Sequence, residues 1–169
     1  MMLGRKAQFY LVISIATFLS MIFLDKTGLS VVISELSRSL HLTTSELQWV
    51  VNIYTLTLSM LLLICGYLSE RLGVRRQYLY GVIIFLLASL LIAVCSSAWL
   101  IIVGRVIQGI GGSLAFATYL ILISRYIPQD ERGKVLGLCV GCGSVFLGIG
   151  PLIGGSFNSV SELAAAFFD

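Results

Sequence analysis

Five long apolar runs dominate the sequence, and each is long enough to cross a lipid bilayer as an α-helix, which takes about 20 residues. Short polar connections separate the runs. They predict helices at residues 8–33, 47–68, 77–95, 99–124 and 135–157. Polar and apolar residues do not alternate within the runs, so the pattern of a membrane β-barrel is absent from them. The sequence therefore predicts an all-α membrane protein with about five transmembrane helices.

The balance of charged and apolar residues supports this prediction. Only 11% of the residues are charged and 58% are hydrophobic, whereas soluble domains carry about 25% charged residues. The net charge of +3 comes from basic residues that lie mainly in the predicted connections, so it does not indicate a nucleic-acid partner. The expected partner of the apolar surface is the lipid bilayer.

The basic residues predict the orientation of the chain, because Lys and Arg are enriched in cytoplasmic connections. Eight of the 11 basic residues fall on one side of the predicted helices: Arg5, Lys6, Arg71, Arg75, Arg76, Arg125, Arg132 and Lys134. Arg38 falls on the other side, and Lys26 and Arg105 lie within predicted helices. We expect a multi-pass protein of the cell (inner) membrane with a cytoplasmic amino terminus. Residues 158–169 are then a short outer tail.

The cysteines do not predict a metal or redox site. Cys65, Cys95, Cys139 and Cys142 all lie in apolar runs, where cysteine packs as a small core residue. The Cys139–Cys142 spacing has no second pair and no nearby histidine, which favours helix packing over metal binding. No pair of a nucleophile and a base can be assembled from the sequence. We expect no metal, no cofactor and no enzymatic activity.

A short polar stretch, Gly66–Arg76, lies between the second and third apolar runs and predicts a tight, water-facing turn. One interpretation is a simple cytoplasmic loop, whose basic residues only set the orientation. The other gives Glu70 a role. Glu70 lies at the carboxyl end of a predicted helix, where the helix dipole disfavours an anion, so it needs a cationic partner or the amino end of another helix.

Two charged residues are predicted at bilayer depth. Arg105 lies in the fourth run beside Gly104 and Gln108, and a guanidinium there costs roughly 2.5 kcal/mol or more unless it faces protein or water. We expect it to point into the bundle, and the alternative is a side chain that snorkels to the outer headgroups. Asp25 is the one acid that the predicted spans contain. It is either a proton or cation site or, together with Lys26, a mark of the outer interface.

The fifth run is rich in glycine and contains a proline: Gly143, Gly148, Gly150, Pro151, Gly154 and Gly155. Pro151 interrupts the helical hydrogen bonds and predicts a bend. Gly150 and Gly154 are four residues apart and share one helix face, which permits a close helix crossing. This packing by itself requires no transport function.

Three of these stretches resemble motifs of the major facilitator superfamily of secondary transporters, and a fourth does so in part. The polar turn resembles the motif G-x-L-a-D-r-x-G-r-k at Gly66, Leu68, Arg71, Gly73, Arg75 and Arg76, with Glu70 in the position of Asp. Arg105–Gly111 resembles the helix 4 motif R-x-x-q-G-x-g. Gly143–Gly155 resembles the helix 5 motif g-x-x-x-G-P-x-x-G-G of exporters that exchange substrate for protons, with its G-P-x-x-G-G core at Gly150–Gly155. Leu24–Val32 partly resembles the helix 1 motif of the fourteen-helix drug:proton antiporters.

The resemblance covers roughly residues 8–157 and implies a partial amino-terminal half of that fold. It implies proton-coupled efflux of small amphipathic compounds, driven by a proton gradient, with Asp25, Arg105 and Gln108 in the proton or substrate pathway. It also implies that Glu70 belongs to a gating motif. Because the family continues into a sixth helix and a second half, we expect a fragment that is inactive alone. The alternatives are a non-transporting membrane module, as a half-transporter partner or a remnant, and a metabolite facilitator of the same superfamily.

Overall fold

The computed structural model describes residues 4–39, 43–95 and 97–149, and within residues 28–39 it describes the backbone alone. The described residues form five helices: α1 (Arg5–Ser39), α2 (Thr44–Leu72), α3 (Val74–Val94), α4 (Ala98–Tyr126) and α5 (Arg132–Ile149). Each of them contains a segment long and apolar enough to cross a membrane. The predicted all-α membrane fold with five spanning helices is confirmed.

Most helices extend further than the apolar runs predicted. The runs at 8–33, 47–68 and 99–124 lie inside α1, α2 and α4, and α3 begins at Val74 instead of residue 77. Apolar runs mark only the part of a helix that lipid covers, whereas helical hydrogen bonds continue into the polar flanks. α5 also begins earlier than predicted, at Arg132. Its predicted end at residue 157 and the predicted tail at 158–169 lie outside the described residues.

The predicted turn at residues 66–76 is wrong in its extent, because Gly73 is the one non-helical residue in it. Gly73 has φ +83° and ψ 126°, a backbone conformation that side chains disfavour. Its N–H donates to the carbonyl oxygen of Ser69 over 3.1 Å and so ends α2. Its own carbonyl oxygen accepts from the N–H of Gln77 over 3.1 Å and so begins α3. A single glycine therefore connects α2 to α3, where the sequence had predicted a turn of eleven residues.

The amino end of α2 is fixed by a capping box. The N–H of Glu46 donates to Thr43 Oγ1 over 3.3 Å, and the N–H of Thr43 donates to Glu46 Oε2 over 2.9 Å. Two backbone N–H groups that the helix itself cannot satisfy thereby find acceptors.

α4 is the most buried of the five helices, and it packs against both α2 and α3. Close approach depends on its glycines. A Cβ on Gly111 would lie 2.5 Å from the backbone nitrogen of Phe85 in α3, and a Cβ on Gly109 would lie 2.8 Å from Thr57 Cβ in α2. Residues with a side chain would hold the helices apart, so these glycines place α4 at the centre of the bundle.

Aromatic side chains pack between α1 and α3. The ring of Phe18 meets the rings of Tyr78 and Phe85 edge to face, at centroid distances of 5.9 and 5.8 Å. The Tyr78 hydroxyl donates to the carbonyl oxygen of Ser14 over 3.0 Å and ties α3 to α1. At the same end of the bundle, Gln8 Nε2 donates to the Tyr126 carbonyl oxygen over 3.0 Å and ties α1 to α4.

Candidate functional site

A buried ion pair joins α1 to α4. Arg105 Nη1 lies 2.6 Å from Asp25 Oδ2, and the two side chains are only 6% and 18% exposed. Arg105 lies about 10 Å along α4 from the start of the helix at Ala98, because a helix rises 1.5 Å per residue. The pair is therefore inside the span of α4, and within the described residues it is the one salt bridge.

Gln108 forms hydrogen bonds with both members of the ion pair. Its Nε2 donates to the other carboxylate oxygen, Asp25 Oδ1, over 3.0 Å, and its Oε1 accepts from Arg105 Nη1 over 3.1 Å. The second hydrogen on Nε2 goes to Ser89 Oγ in α3, 2.8 Å away. Ser89 in turn donates to the Phe85 carbonyl oxygen over 2.9 Å. The cluster Asp25–Arg105–Gln108–Ser89, hereafter the polar cluster, thus connects three helices.

The polar cluster is not fully satisfied. Arg105 Nε is buried without a hydrogen-bond partner among the described residues, as is the hydroxyl of Tyr54 in α2. Tyr54 is 3% exposed and its ring lies 6.4 Å from that of Phe85. Buried polar atoms normally find a partner, and ordered water is the common one in a polar cavity.

The polar cluster contains one carboxylate, that of Asp25. Arginine stays protonated and the glutamine amide is neutral, so Asp25 is the member of the cluster whose charge a proton would remove. Its side chain keeps more exposure than that of Arg105, which leaves the carboxylate more accessible than its partner. A proton on Asp25 would remove the charge that holds Arg105, so the arrangement can convert proton binding into the loss of a contact between α1 and α4.

The structure brings together all three residues for which the sequence predicted a proton or substrate role: Asp25, Arg105 and Gln108. Arg105 lies inside the bundle and does not reach toward headgroups, and Asp25 lies on the buried side of α1 while its neighbour Lys26 is exposed. Sequence reasoning missed Ser89. The available signal was a hydroxyl within an apolar run, which is a weak indication of a contact between helices.

A second buried polar side chain, Gln77, was also missed. It is fully buried, and its Nε2 donates to the carbonyl oxygens of Cys65 over 2.7 Å and Leu114 over 3.3 Å. Its Oε1 has no partner among the described residues. Gln77 ties α2, α3 and α4 together near the end that carries Gly73.

The residues of the predicted gating motif lie at that end, and each of them makes different contacts. Glu70 is exposed and forms no ion pair within the part of the chain that the structure describes. Arg71 donates to the Tyr67 hydroxyl over 2.9 Å and lies over its ring. Arg75 lies 5.1 Å above the ring centroid of Tyr126.

The two remaining arginine and glycine positions of this motif make fewer contacts. Arg76 is exposed. Gly66 is helical, and a Cβ placed on it would meet no atom within 4 Å. The cationic partner that the sequence suggested for Glu70 is thus not present among the described residues.

The predicted motif of the fifth run is described only in part. A Cβ on Gly143 would clash with the ring of Phe23 in α1, so this glycine permits the contact between α5 and α1, whereas Gly148 has open space around it. Gly150, Pro151, Gly154 and Gly155 lie outside the described residues. The four cysteines are free thiols, and Cys139 is buried against α1.

Comparison with known proteins supplies a family and several relatives. Residues 13–168 match the Major Facilitator Superfamily. The chain is 35% identical over 143 residues to a methylenomycin A resistance protein of Streptomyces coelicolor, which is 84% of this chain and 30% of that protein. It is 32% identical over 148 residues to the riboflavin transporter RibZ of Clostridioides difficile, which is 86% of this chain and 31% of that protein.

A third relative is the tetracenomycin C resistance and export protein of Streptomyces glaucescens. It is 30% identical over 156 residues, which is 92% of this chain and 29% of that protein. The chain therefore spans less than a third of the length of each of these relatives.

Proposed function

The chain belongs to the Major Facilitator Superfamily, and we propose that it forms five helices in the amino-terminal half of a proton-coupled exporter of small amphipathic compounds. The observation that carries this proposal is the buried ion pair between Asp25 and Arg105. Charged groups within a membrane span are costly and usually mark an ion or proton pathway. A pair whose acid can be neutralised by one proton fits a protein that couples proton movement to a change in helix contacts.

The proposed coupling step is simple in its chemistry. A proton binds to an oxygen of Asp25, the carboxylate becomes neutral, and the ion pair with Arg105 is lost. Arg105 then keeps its contact with Gln108 and loses the anion that tied α4 to α1. Release of the proton on the other side restores the pair. The energy source is the proton gradient, and no cofactor takes part in this step.

The names of the relatives support the proposed direction and cargo. Two of the relatives are named for resistance to an antibiotic or for its export, which supports efflux of small toxic or drug-like compounds. The side that carries eight of the basic residues is cytoplasmic in this proposal, which places the amino terminus inside the cell and the chain in the inner membrane.

Transport in this proposal requires more helices than the five described. Members of this superfamily bind cargo between two bundles that rock against each other, and the relatives extend well beyond the matched region. We therefore propose that the chain works together with such helices and does not transport alone. As a separate polypeptide it would act as a half-transporter that binds a partner.

Metabolite transport is a second candidate. The similarity to a riboflavin transporter favours it, since the identity and coverage are close to those of the resistance proteins. The polar cluster is compatible with either cargo, so the two candidates are separated by a transport assay.

The assay uses lipid vesicles with an imposed proton gradient and a pH-sensitive dye. Vesicles that contain the chain alone should show no sustained efflux of methylenomycin A. Vesicles that also contain the remaining helices of the Streptomyces coelicolor relative should show gradient-driven efflux. Asp25→Asn should abolish that efflux, whereas Lys26→Gln, a change at the exposed neighbouring charge, should leave it intact.

Three results would count against the proposal. Sustained efflux by the chain alone would show that no partner is needed. Efflux that survives Asp25→Asn would remove the proton site. Movement of riboflavin without movement of methylenomycin A would favour the metabolite transporter.

Independently of assembly, infrared spectroscopy of the chain alone should show a titrating carboxyl band that Asp25→Asn removes, and its absence from the unaltered chain would also contradict the proton site.

A further inference from the structure

A basic groove of about 280 Å³ lies at the end of the bundle where α2 passes into α3 and where α4 ends. We call it the arginine groove. It is lined by Leu72, Gly73, Val74, Arg75, Arg76, Arg125 and Tyr126. The three arginines are exposed, and they come from two different helices, so the fold and not the sequence alone brings their charges together.

No carboxylate of the described residues neutralises the charges in the arginine groove. Within the described residues, Arg105 and Asp25 form the one salt bridge, so none of the groove arginines has a carboxylate partner there. Arg75 lies over the face of the Tyr126 ring, and its N–H groups donate no hydrogen bond within the described residues. Arg76 and Arg125 donate no hydrogen bond within the part of the chain that the structure describes.

The neighbouring basic residues differ in this respect. Arg71 donates to the Tyr67 hydroxyl, and Arg132 donates from Nε to the Ile127 carbonyl oxygen over 3.0 Å. Both of these side chains therefore have acceptors among the described residues. The arginine groove therefore concentrates three guanidinium groups with free donors, which is the arrangement that binds phosphate oxygens well.

An apolar track leads away from the arginine groove along α3. Tyr80, Ile83 and Leu87 follow Arg76 by four, seven and eleven residues, so all four lie on one helix face. Their side chains are 54%, 50% and 61% exposed. In a membrane this face meets acyl chains, so a charged site and a lipid-covered track are continuous.

We propose that the arginine groove binds the phosphate of an anionic phospholipid whose acyl chain lies along the exposed face of α3. The negative surface of the cytoplasmic leaflet attracts basic residues, and basic pockets between membrane helices are suited to lipid headgroups. The track commits the proposal to a lipid, because free phosphate would gain nothing from Tyr80, Ile83 and Leu87. The inference does not depend on transport, since it needs only the five described helices in a membrane.

The test is mass spectrometry of the intact chain released from mixed micelles that contain equal amounts of phosphatidylglycerol and phosphatidylcholine. The unaltered chain should retain phosphatidylglycerol preferentially. The double variant Arg76→Gln/Arg125→Gln should retain about 30-fold less of it, because each basic residue contributes about 1 kcal/mol near an anionic surface and 1.4 kcal/mol is a factor of ten. Both side chains are exposed, so the variant should keep its helix content by circular dichroism.

The matched control is Arg5→Gln/Lys6→Gln, which removes two exposed charges from the same predicted side without touching the groove. It should retain phosphatidylglycerol almost as the unaltered chain does. Equal retention of the two lipids would overturn the proposal, as would equal losses in the groove and control variants. Displacement of the lipid by an equal concentration of inorganic phosphate would reveal a free-phosphate site and would also overturn it.

Discussion

The carbonyl oxygen of Gly81 lies 2.8 Å from the point that a Cβ on Gly111 would occupy, so α3 and α4 are in backbone contact at this level. The contact is reciprocal, because a Cβ on Gly81 would lie 2.7 Å from the carbonyl oxygen of Gly111. Two glycines that face each other in this way let the helices approach more closely than any other residue pair would.

Gly111→Ala should therefore separate α3 from α4 and destabilise the chain by about 1–3 kcal/mol, the usual cost of overpacking. The measurement is unfolding of the chain in bicelles by titrated detergent, followed by tryptophan fluorescence. Gly141→Ala is the matched control, because Gly141 in α5 has no atom within 4 Å of its added Cβ. The control should be neutral or slightly stabilising, and an equal loss in both variants would contradict the backbone contact.

The ion pair predicts a strong coupling between two substitutions. Arg105→Gln leaves the carboxylate of Asp25 buried without its cation, which should cost about 3–5 kcal/mol of stability. The double variant Asp25→Asn/Arg105→Gln replaces both charges by neutral amides and should be less destabilised than Arg105→Gln alone. The same detergent titration measures all the variants of the cycle. Additive effects, within about 0.5 kcal/mol, would show that the two side chains do not interact.

The two glycines of the predicted gating motif should respond in opposite ways. Gly73 has φ +83°, and an alanine in such a sparsely populated conformation costs about 1–3 kcal/mol, so Gly73→Ala should destabilise the connection between α2 and α3. Gly66 is helical with open space around it, so Gly66→Ala should be neutral or stabilise α2 by up to about 1 kcal/mol. Thermal unfolding of the two variants provides the comparison, and a larger loss for Gly66→Ala would contradict the observed backbone.

The capping box predicts a local effect at the start of α2. Thr43→Ala removes the acceptor for the N–H of Glu46 and should cost about 1 kcal/mol. Amide hydrogen exchange at Glu46 should become faster in this variant. The neighbouring change Thr44→Ala should leave that exchange rate unaltered, because the cap is Thr43. Equal acceleration in both variants would indicate fraying without a specific cap.

The spanning helices could be predicted from the sequence, whereas contacts between them could not. Hydropathy reports how each segment partitions into lipid, which is a local property, and so the five runs predicted five helices. Asp25 and Arg105 stood out because a charge in a span is costly, yet they are 80 residues apart in the chain. Their contact depends on how α1 and α4 pack, and neither apolar run by itself shows that packing.

Two local features also escaped prediction, each for a physical reason. Ser89 satisfies its own hydroxyl with the Phe85 carbonyl oxygen one turn earlier, so it can lie in an apolar run at little cost and gives no sign of a partner. The charged residues around Gly73 suggested a loop, but Glu, Arg and Leu are good helix formers. The polar stretch is therefore helical except at Gly73, whose backbone angles are not helical.

The single residue between α2 and α3 has a mechanical consequence. With Gly73 alone as the link, and with Gln77 bonded back to the Cys65 carbonyl oxygen, neither helix can slide or rotate far without carrying the other. We expect α2 and α3 to move together as one rigid unit. Any rearrangement of the bundle must then be absorbed at a longer connection, such as residues 127–131 between α4 and α5.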